Sequence, residues 1–342
     1  MRPELTPRRR WVLKHIVEEY VTSATPVSSE TVARRAPVRV STATVRNDMA
    51  ALEELGLVHQ PHTSAGRVPS DAGYRLYVKE LMRPADLEPA ELRTIYHQFH
   101  QVEFAIDEWL ALARAVLAQA VHSAAVVTPP LAPRARVRRI ELVPLHDGLV
   151  LLVLLLHSGH IRQQVVPLVE PASREDLIQL SNRLTDLLAG HTATEVRTAP
   201  AATVNEGQVL QAVAQALEHA EQQVGEGLLY AGIRFIVAQP EFAQSAKLQP
   251  VVEALEQGHV LAPILLQTLP QSGVRVLIGD ELPHEAIRNC SIVLTAYGPD
   301  AETRGIVGIV GPTRMPYWRA VPLVHFVGSL IDGLMRESFR TR

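Results

Sequence analysis

Between Ser41 and Arg67 the hydrophobic period changes once, from helical to strand-like, and the chain then enters a turn containing Pro and Gly. Few folds accept that order. Val45, Met49 and Leu52 recur at helical spacing, Leu55 extends the stripe, and all lie on one face. Ser41 ahead of them is a good N-cap, because its hydroxyl can accept a first-turn N–H that has no intrahelical partner. Gly56 behind them suits the left-handed residue that ends a helix. Leu57-Val58 is a short β-like run, Gln60 to Arg67 supplies polar turn chemistry with Pro61, Ser64 and Gly66, and Val68-Pro69 closes the hairpin. Ser70-Asp71 can cap a further helix. Helix, strand, turn, strand and helix make a winged helix; the plainer reading is an amphipathic surface helix followed by an ordinary hairpin.

The preceding residues favour the winged helix. Thr6 as N-cap and Pro7 at the first helical position open a helix with Trp11, Val12, Ile16, Val17 and Tyr20 inward. Thr22 to Pro26 breaks it. Ser28 or Ser29 caps a second helix with Val32 and Ala33 inward, and Ala36 to Val40 connects it to the third. Three short helices before a wing is the winged-helix order, and the third is the one expected in the major groove.

On that third helix Thr42, Ala43, Thr44, Arg46 and Asn47 crowd the first two turns, mostly off the apolar stripe. Arg and Asn carry paired donors, or a donor and an acceptor, suited to guanine and adenine edges. Thr42 and Thr44 would position the helix. His62, Thr63, Ser64 and Arg67 are expected on or beside the wing tip, facing phosphate or the minor groove. Arg8, Arg9, Arg10 and Arg75 are expected mainly to neutralise phosphate. The charge distribution agrees: the net charge of the whole chain is only −3, yet its first quarter is basic, so the remainder is acidic overall. That asymmetry fits one nucleic-acid-binding module on a body that does not bind nucleic acid.

The 342 residues predict two or three domains. Asp71 to Met82 reads as a helix, Arg83 to Asp86 as a linker, and Leu87 to Val121 as a long helical stretch with a break near Gln101. Arg139–Leu145, Leu149–Leu156 and Ile161–Leu168 read as an antiparallel meander. Ser173 caps a helix reaching Leu188, and Gln208 to Gln222 is helical. Leu228 to Val237 reads as a strand interrupted by Gly232, followed by a helix from Phe242 to Gln257. Gly273–Gly279 is a strand, Cys290–Tyr297 and Gly305–Gly311 form a hairpin, and Pro316–Phe339 is a closing helix.

Catalytic chemistry is thin. His97 and His100, or His157 and His160, each offer two metal ligands without a third partner pattern. Cys290, the one cysteine, reads as a small core residue and excludes an intramolecular disulfide. Thr313 reads as a cap for the last helix, and Arg314 as the holder of a carboxylate in the fold or at a subunit interface. No cofactor and no enzymatic activity are expected. The Arg-rich start lacks the apolar stretch of a signal peptide, and Leu149–Leu156 is too short to span a bilayer, so a cytoplasmic protein without membrane attachment is expected.

Several strings together carry a resemblance. Ile16-Val17-Glu18-Glu19-Tyr20, Ala43-Thr44-Val45-Arg46-Asn47-Asp48-Met49 and Gln60-Pro61-His62-Thr63-Ser64-Ala65-Gly66-Arg67-Val68-Pro69 with Gly73-Tyr74-Arg75 stand near one end. Gly273-Val274-Arg275-Val276-Leu277-Ile278-Gly279-Asp280-Glu281 and Gly308-Ile309-Val310-Gly311-Pro312-Thr313-Arg314-Met315 stand near the other. The chain resembles the heat-inducible transcription repressor family, HrcA. The resemblance implies an α+β multidomain protein, with an N-terminal winged helix-turn-helix and a GAF-like sheet domain carrying a small inserted α/β domain. On that basis residues 1–83 are the winged-helix domain, 84–198 the linker and first part of the GAF-like domain, 199–242 the insert, and 243–342 the second part. It also implies a homodimer on double-stranded DNA at the CIRCE inverted repeat before the groE and dnaK operons. The GroEL chaperonin would sustain the active fold and be titrated away by heat-damaged proteins. Two other function classes remain: a metabolite-responsive regulator with the body as sensor, and an enzyme using the C-terminal sheet, which lacks a catalytic constellation.

Overall fold

The computed structural model describes residues 5–36, 40–62, 65–102, 106–130, 135–146, 148–157, 159–222, 228–243, 245–256, 261, 265, 268, 273–282, 284–298 and 304–340. Contacts divide the chain into two units. The first is Met1–Val127, Leu229–Tyr297 and Ile306–Arg342; the second is Thr128–Leu228 with Gly298–Gly305.

The first unit begins with α1 (Pro7–Ser23), α2 (Ser29–Arg34), α3 (Thr42–Glu54), a hairpin of β1 (Val58–His59) and β2 (Val68–Pro69), and α4 (Asp71–Leu76), which continues as a π-helical turn over Tyr77–Leu81. Each of the four helices starts on a hydroxyl. Thr6, Ser28, Ser41 and Ser70 accept from the N–H groups of Arg9, Thr31, Thr44 and Gly73, a device that contributes about 1 kcal/mol per helix. Gly56 takes φ +70° after α3. Val58 pairs with Pro69 and His59 with Val68, and Val27 bridges Arg67. Gly66 lies so close to the Val27 carbonyl that no Cβ fits there. The winged helix is therefore present as expected, with Leu13, Ile16, Val17, Val45 and Leu52 at its centre. Trp11 is only half-buried and stacks on His15, with ring centroids 4.0 Å apart.

Two helices follow, α5 (Pro89–Gln101) and α6 (Ile106–Val121), and then β3 (Ala124–Val127), a fully buried strand. The sequence reading passes over β3, because Ala-Ala-Val-Val continues an Ala-rich helical stretch without a Pro or Gly to mark the change. His122, at φ +53°, makes the turn instead.

The second unit holds β4 (Val137–His146), β5 (Leu149–Leu156) and β6 (Ile161–Pro167), an antiparallel meander in the order β4-β5-β6. It also holds α7 (Arg174–Leu188), α8 (Ala193–Arg197) and α9 (Val204–Gln222). Ser173 and Asp176 form a capping box at the start of α7, and the hydrogen bond from Ser173 holds the Asp176 carboxyl below its ordinary range. Ile140, Leu142, Leu152 and Leu154 on one sheet face share a core with Leu177, Leu184, Val213 and Leu217 of the helices. The sequence reading placed the meander in the sheet body and the insert at residues 199–242. The contacts instead gather meander and helices into one inserted unit, because among the described residues these strands pair only with one another.

The first unit resumes with β7 (Leu229–Ala231), α10 (Ile233–Val237), a 3-10 turn (Pro240–Phe242), α11 (Ser245–Glu256), β8 (Val274–Ile278), β9 (Cys290–Tyr297), β10 (Gly305–Pro312) and α12 (Tyr317–Arg340). The expected single strand from Leu228 to Val237 is a strand and a helix, because Gly232 turns the chain at φ +81°. The sheet order is β7-β3-β10-β9-β8. Helix α6 lies on β3 and β7, and α12 lies on β8 and β9. One continuous apolar core runs from Leu13, Tyr74 and Tyr77 of the winged helix to Val293, Tyr317 and Val324 of the sheet body.

Candidate nucleic-acid interface

Helix α3 buries Val45, Met49 and Leu52 and leaves Thr42, Ala43, Arg46 and Asn47 exposed. These four occupy successive turns of one face. Among the described residues neither Arg46 nor Asn47 has a side-chain partner, so their donors are available to a ligand. Thr44 is half-buried, and its hydroxyl lies 2.8 Å from that of Ser41, within the cap. His62 is exposed on the wing, where its carbonyl accepts the Ala65 N–H at 2.8 Å. Thr63 and Ser64 lie outside the described residues.

The remaining arginines are held by carboxylates. Arg8 grips Asp48 of α3 with Nε at 2.6 Å and Nη2 at 3.1 Å, and Arg9 Nε stands 3.6 Å from the same carboxylate. Asp48 is buried, whereas the Arg8 and Arg9 side chains remain 56% and 36% exposed. The hydrogen bond with Asp48 raises the Arg8 pKa above its ordinary value. Arg10 pairs with Glu80 at 3.1 Å. Arg67 is at the wing's base, not its tip. Its backbone pairs both ways with Val27, its guanidinium meets Glu53 at 2.7 Å, and only 16% of its side chain is exposed. Glu53 also accepts the Gln60 N–H at 3.0 Å, so one carboxylate braces both sides of the hairpin. Arg75 is turned toward the sheet body: it pairs with Glu281 and donates to the Val276 carbonyl at 2.8 Å. That pairing ties the guanidinium to the fold, though the side chain stays 32% exposed.

Residues 4–80 match the family model described as winged helix-turn-helix transcription repressor, HrcA DNA-binding, and residues 107–321 match the HrcA protein C terminal domain. The chain belongs to the HrcA family. It is 42% identical to the heat-inducible transcription repressor HrcA of Thermomicrobium roseum, covering 98% of this chain and 97% of that one. It is 39% identical to the repressor of the same name from Chloroflexus aggregans, covering 99% and 95%. A crystal structure described as that of a hypothetical protein shares the fold, with a TM-score of 0.59 at 23% identity over 98% of both chains. This chain is thus a heat-inducible transcription repressor with a DNA-binding winged helix.

Elsewhere in this HrcA chain Arg314 is the main polar junction of the first unit. It donates to Glu241 at 2.5 Å, to the Val21 carbonyl at the end of α1 at 2.7 Å, and to Gln239 at 2.7 Å. It therefore holds a carboxylate within the fold, one of the two roles expected. Thr313 does not cap the last helix: α12 starts at Tyr317, and the Thr313 carbonyl accepts the Tyr317 hydroxyl at 2.7 Å. Burial pushes the Cys290 thiol up to about 12, which removes the thiolate that nucleophilic chemistry would need. His100 stacks on Tyr96 and meets the Tyr96 carbonyl at 2.8 Å. Among the described residues no cluster of three His, Cys, Asp or Glu side chains could hold a metal, and no helix is long and apolar enough to cross a membrane. Sequence reasoning missed Asp48 and Glu53. Their one signal was an acidic residue on the recognition helix of a basic module.

Proposed function

We propose that two copies of this repressor bind the CIRCE inverted repeat before chaperone operons, in the cytoplasm, with GroEL sustaining the active fold until heat titrates it away. The carrying observation is the exposed pair Arg46 and Asn47, without side-chain partners among the described residues, on a capped, buried-backed helix. In this reading Arg46 and Asn47 contact bases or adjacent phosphates, with Thr42, Ala43 and Thr44 fitting the helix to the groove. His62, Thr63 and Ser64 engage the backbone or minor groove through the wing. Arg8 and Arg9 offer phosphate the N–H groups that Asp48 leaves free, and Arg10 adds charge beside them. Arg67 and Arg75 act by shaping the module.

The dimer is supported by the second unit. Strand β5 is apolar on both faces, which is the pattern of a strand covered on both sides, yet the helices cover one. On the other face the register sets Val143, Leu151 and Val165 in one row and Leu155 beside Ile161. Val143, Ile161 and Val165 are 45%, 56% and 50% exposed. A second copy presenting the same face satisfies two-fold symmetry, and an inverted repeat mirrors it. The chaperonin requirement is supported by chain order. Val127 pairs with Val307 and with Leu229 across the whole inserted unit, so the buried strand β3 must wait for distant partners, a condition that exposes apolar surface.

The test is salt-dependent binding to a CIRCE duplex beside a scrambled one, with and without GroEL. Selective binding improved by GroEL is expected. Arg46→Ala should cost about 1–3 kcal/mol and relax specificity at one base pair. Equal binding to both duplexes by folded protein, or an unaffected Arg46→Ala variant, refutes the assignment.

A further inference from the structure

Two stretches far apart in the chain meet at α4. At the start of α4 the Asp71 carboxylate accepts the Asp280 N–H at 3.2 Å. Gly279, at φ +53°, lies against the same carboxylate so tightly that a Cβ would overlap it. One turn on, Arg75 holds Glu281 with two nitrogens and reaches the Val276 carbonyl of β8 at 2.8 Å. Residues four apart share a helix face, so α4 offers an acid then a base to a turn that offers an N–H then an acid. Glu281 is itself held in place by the Ile278 N–H at 3.0 Å.

The other side of α4 is wedged against the link between α3 and β1. Gly73 has no room for a Cβ beside the Leu57 carbonyl, and the Ser70 hydroxyl donates to the Gly56 carbonyl at 2.5 Å. Behind these contacts the buried rings of Tyr74 and Tyr317 lie 5.9 Å apart. A continuous set of short contacts thus runs from the end of α3, through α4, to the edge strand of the body's sheet. None of its members is on the exposed face of α3.

We propose that the Asp71–Arg75 face of α4 and the Gly279–Glu281 turn form a strut that fixes the angle of the recognition helix, making Arg75 and Glu281 positioning residues for two-site operator binding. The physical need is geometric. Two recognition helices joined through their bodies reach successive major grooves only if each is held at a set angle. A module free to swivel still binds one half-site, but it loses the effective concentration that the second site supplies. This inference rests on the dimeric-repressor reading.

The test uses full-length protein, with Arg75→Glu, Glu281→Arg and the double exchange measured on an inverted repeat and on a single half-site duplex. Each single variant should lose at least tenfold on the inverted repeat while staying within about twofold on the half-site, and the double exchange should recover most of the loss. If the reversed charges prevent folding, Arg75→Gln and Glu281→Gln carry the same comparison. Unchanged repeat binding by folded single variants overturns the strut. So does a parallel loss on both duplexes with a flattened salt dependence, which would make Arg75 a phosphate contact. A wild-type protein that does not select the inverted repeat fails at an earlier step, overturning the operator reading and the strut with it.

Discussion

Replacing Arg314 with Met tests whether one guanidinium ties the winged helix to the sheet body. The side chain is 11% exposed and makes three charge-assisted bonds between 2.5 and 2.7 Å. Met keeps the apolar stem, so little cavity forms, and the loss is mainly polar. Removing one partner of a buried pair costs about 3–5 kcal/mol, because the other charge is stranded. Glu241 is 24% exposed and can turn partly to water, which places the expected loss near the lower end, about 3 kcal/mol. Adding Glu241→Gln removes the stranded charge and should return about 1–2 kcal/mol, leaving the unsatisfied Val21 carbonyl and Gln239. Urea unfolding followed by tryptophan fluorescence is the assay, since Trp11, Trp109 and Trp318 all belong to the first unit. A midpoint within about 0.5 kcal/mol of wild type, the range of an ordinary surface change, would refute the junction. A double variant no more stable than the single one would refute the stranded-charge account.

Two further outcomes follow from burial. Burial pushes the phenols of Tyr74, Tyr77, Tyr297 and Tyr317 up from their ordinary value of 10.0. The unfolded chain releases these protons near pH 10 while the folded chain keeps them, so stability present below pH 10 is lost as pH rises above it. Each phenol contributes a slope of about 1.4 kcal/mol per pH unit; melting curves between pH 9 and 11 should show a steep fall that Tyr297→Phe relieves in part, and a slope worth a single tyrosine would contradict this. Val165→Glu on the outer face of β6 should split the dimer and reduce operator affinity with the melting transition little changed, as read by sedimentation; a variant that stays dimeric would place the interface elsewhere.

Much of the DNA-binding module was legible from local chemistry. Thr6, Ser28, Ser41 and Ser70 announce four helix starts, Gly56 announces an end, and the apolar stripe through Val45, Met49 and Leu52 orients α3. Capping and periodicity are interactions over three or four residues, so composition at those positions suffices. The meander was equally readable, since Gly148 and the alternation in β6 act locally. The partners of charged groups were not. Arg8 and Arg9 turn to Asp48, Arg67 to Glu53, and Arg75 to Glu281, 206 residues away. A guanidinium reads the same in sequence whether it faces phosphate or a carboxylate, and only the folded chain determines which is nearer. Strand β3 and the edges of the inserted unit were hidden for a related reason. Ala-Ala-Val-Val suits a helix or a buried strand, and the choice fell to β10 and β7, which supply its hydrogen bonds from beyond residue 228. Sequence alone thus determined the helices of the DNA-binding module, the wing, and the apolar stripe that orients α3. Tertiary structure decided which arginines pair with carboxylates, because charge pairing and strand pairing depend on distances in space that no local pattern encodes.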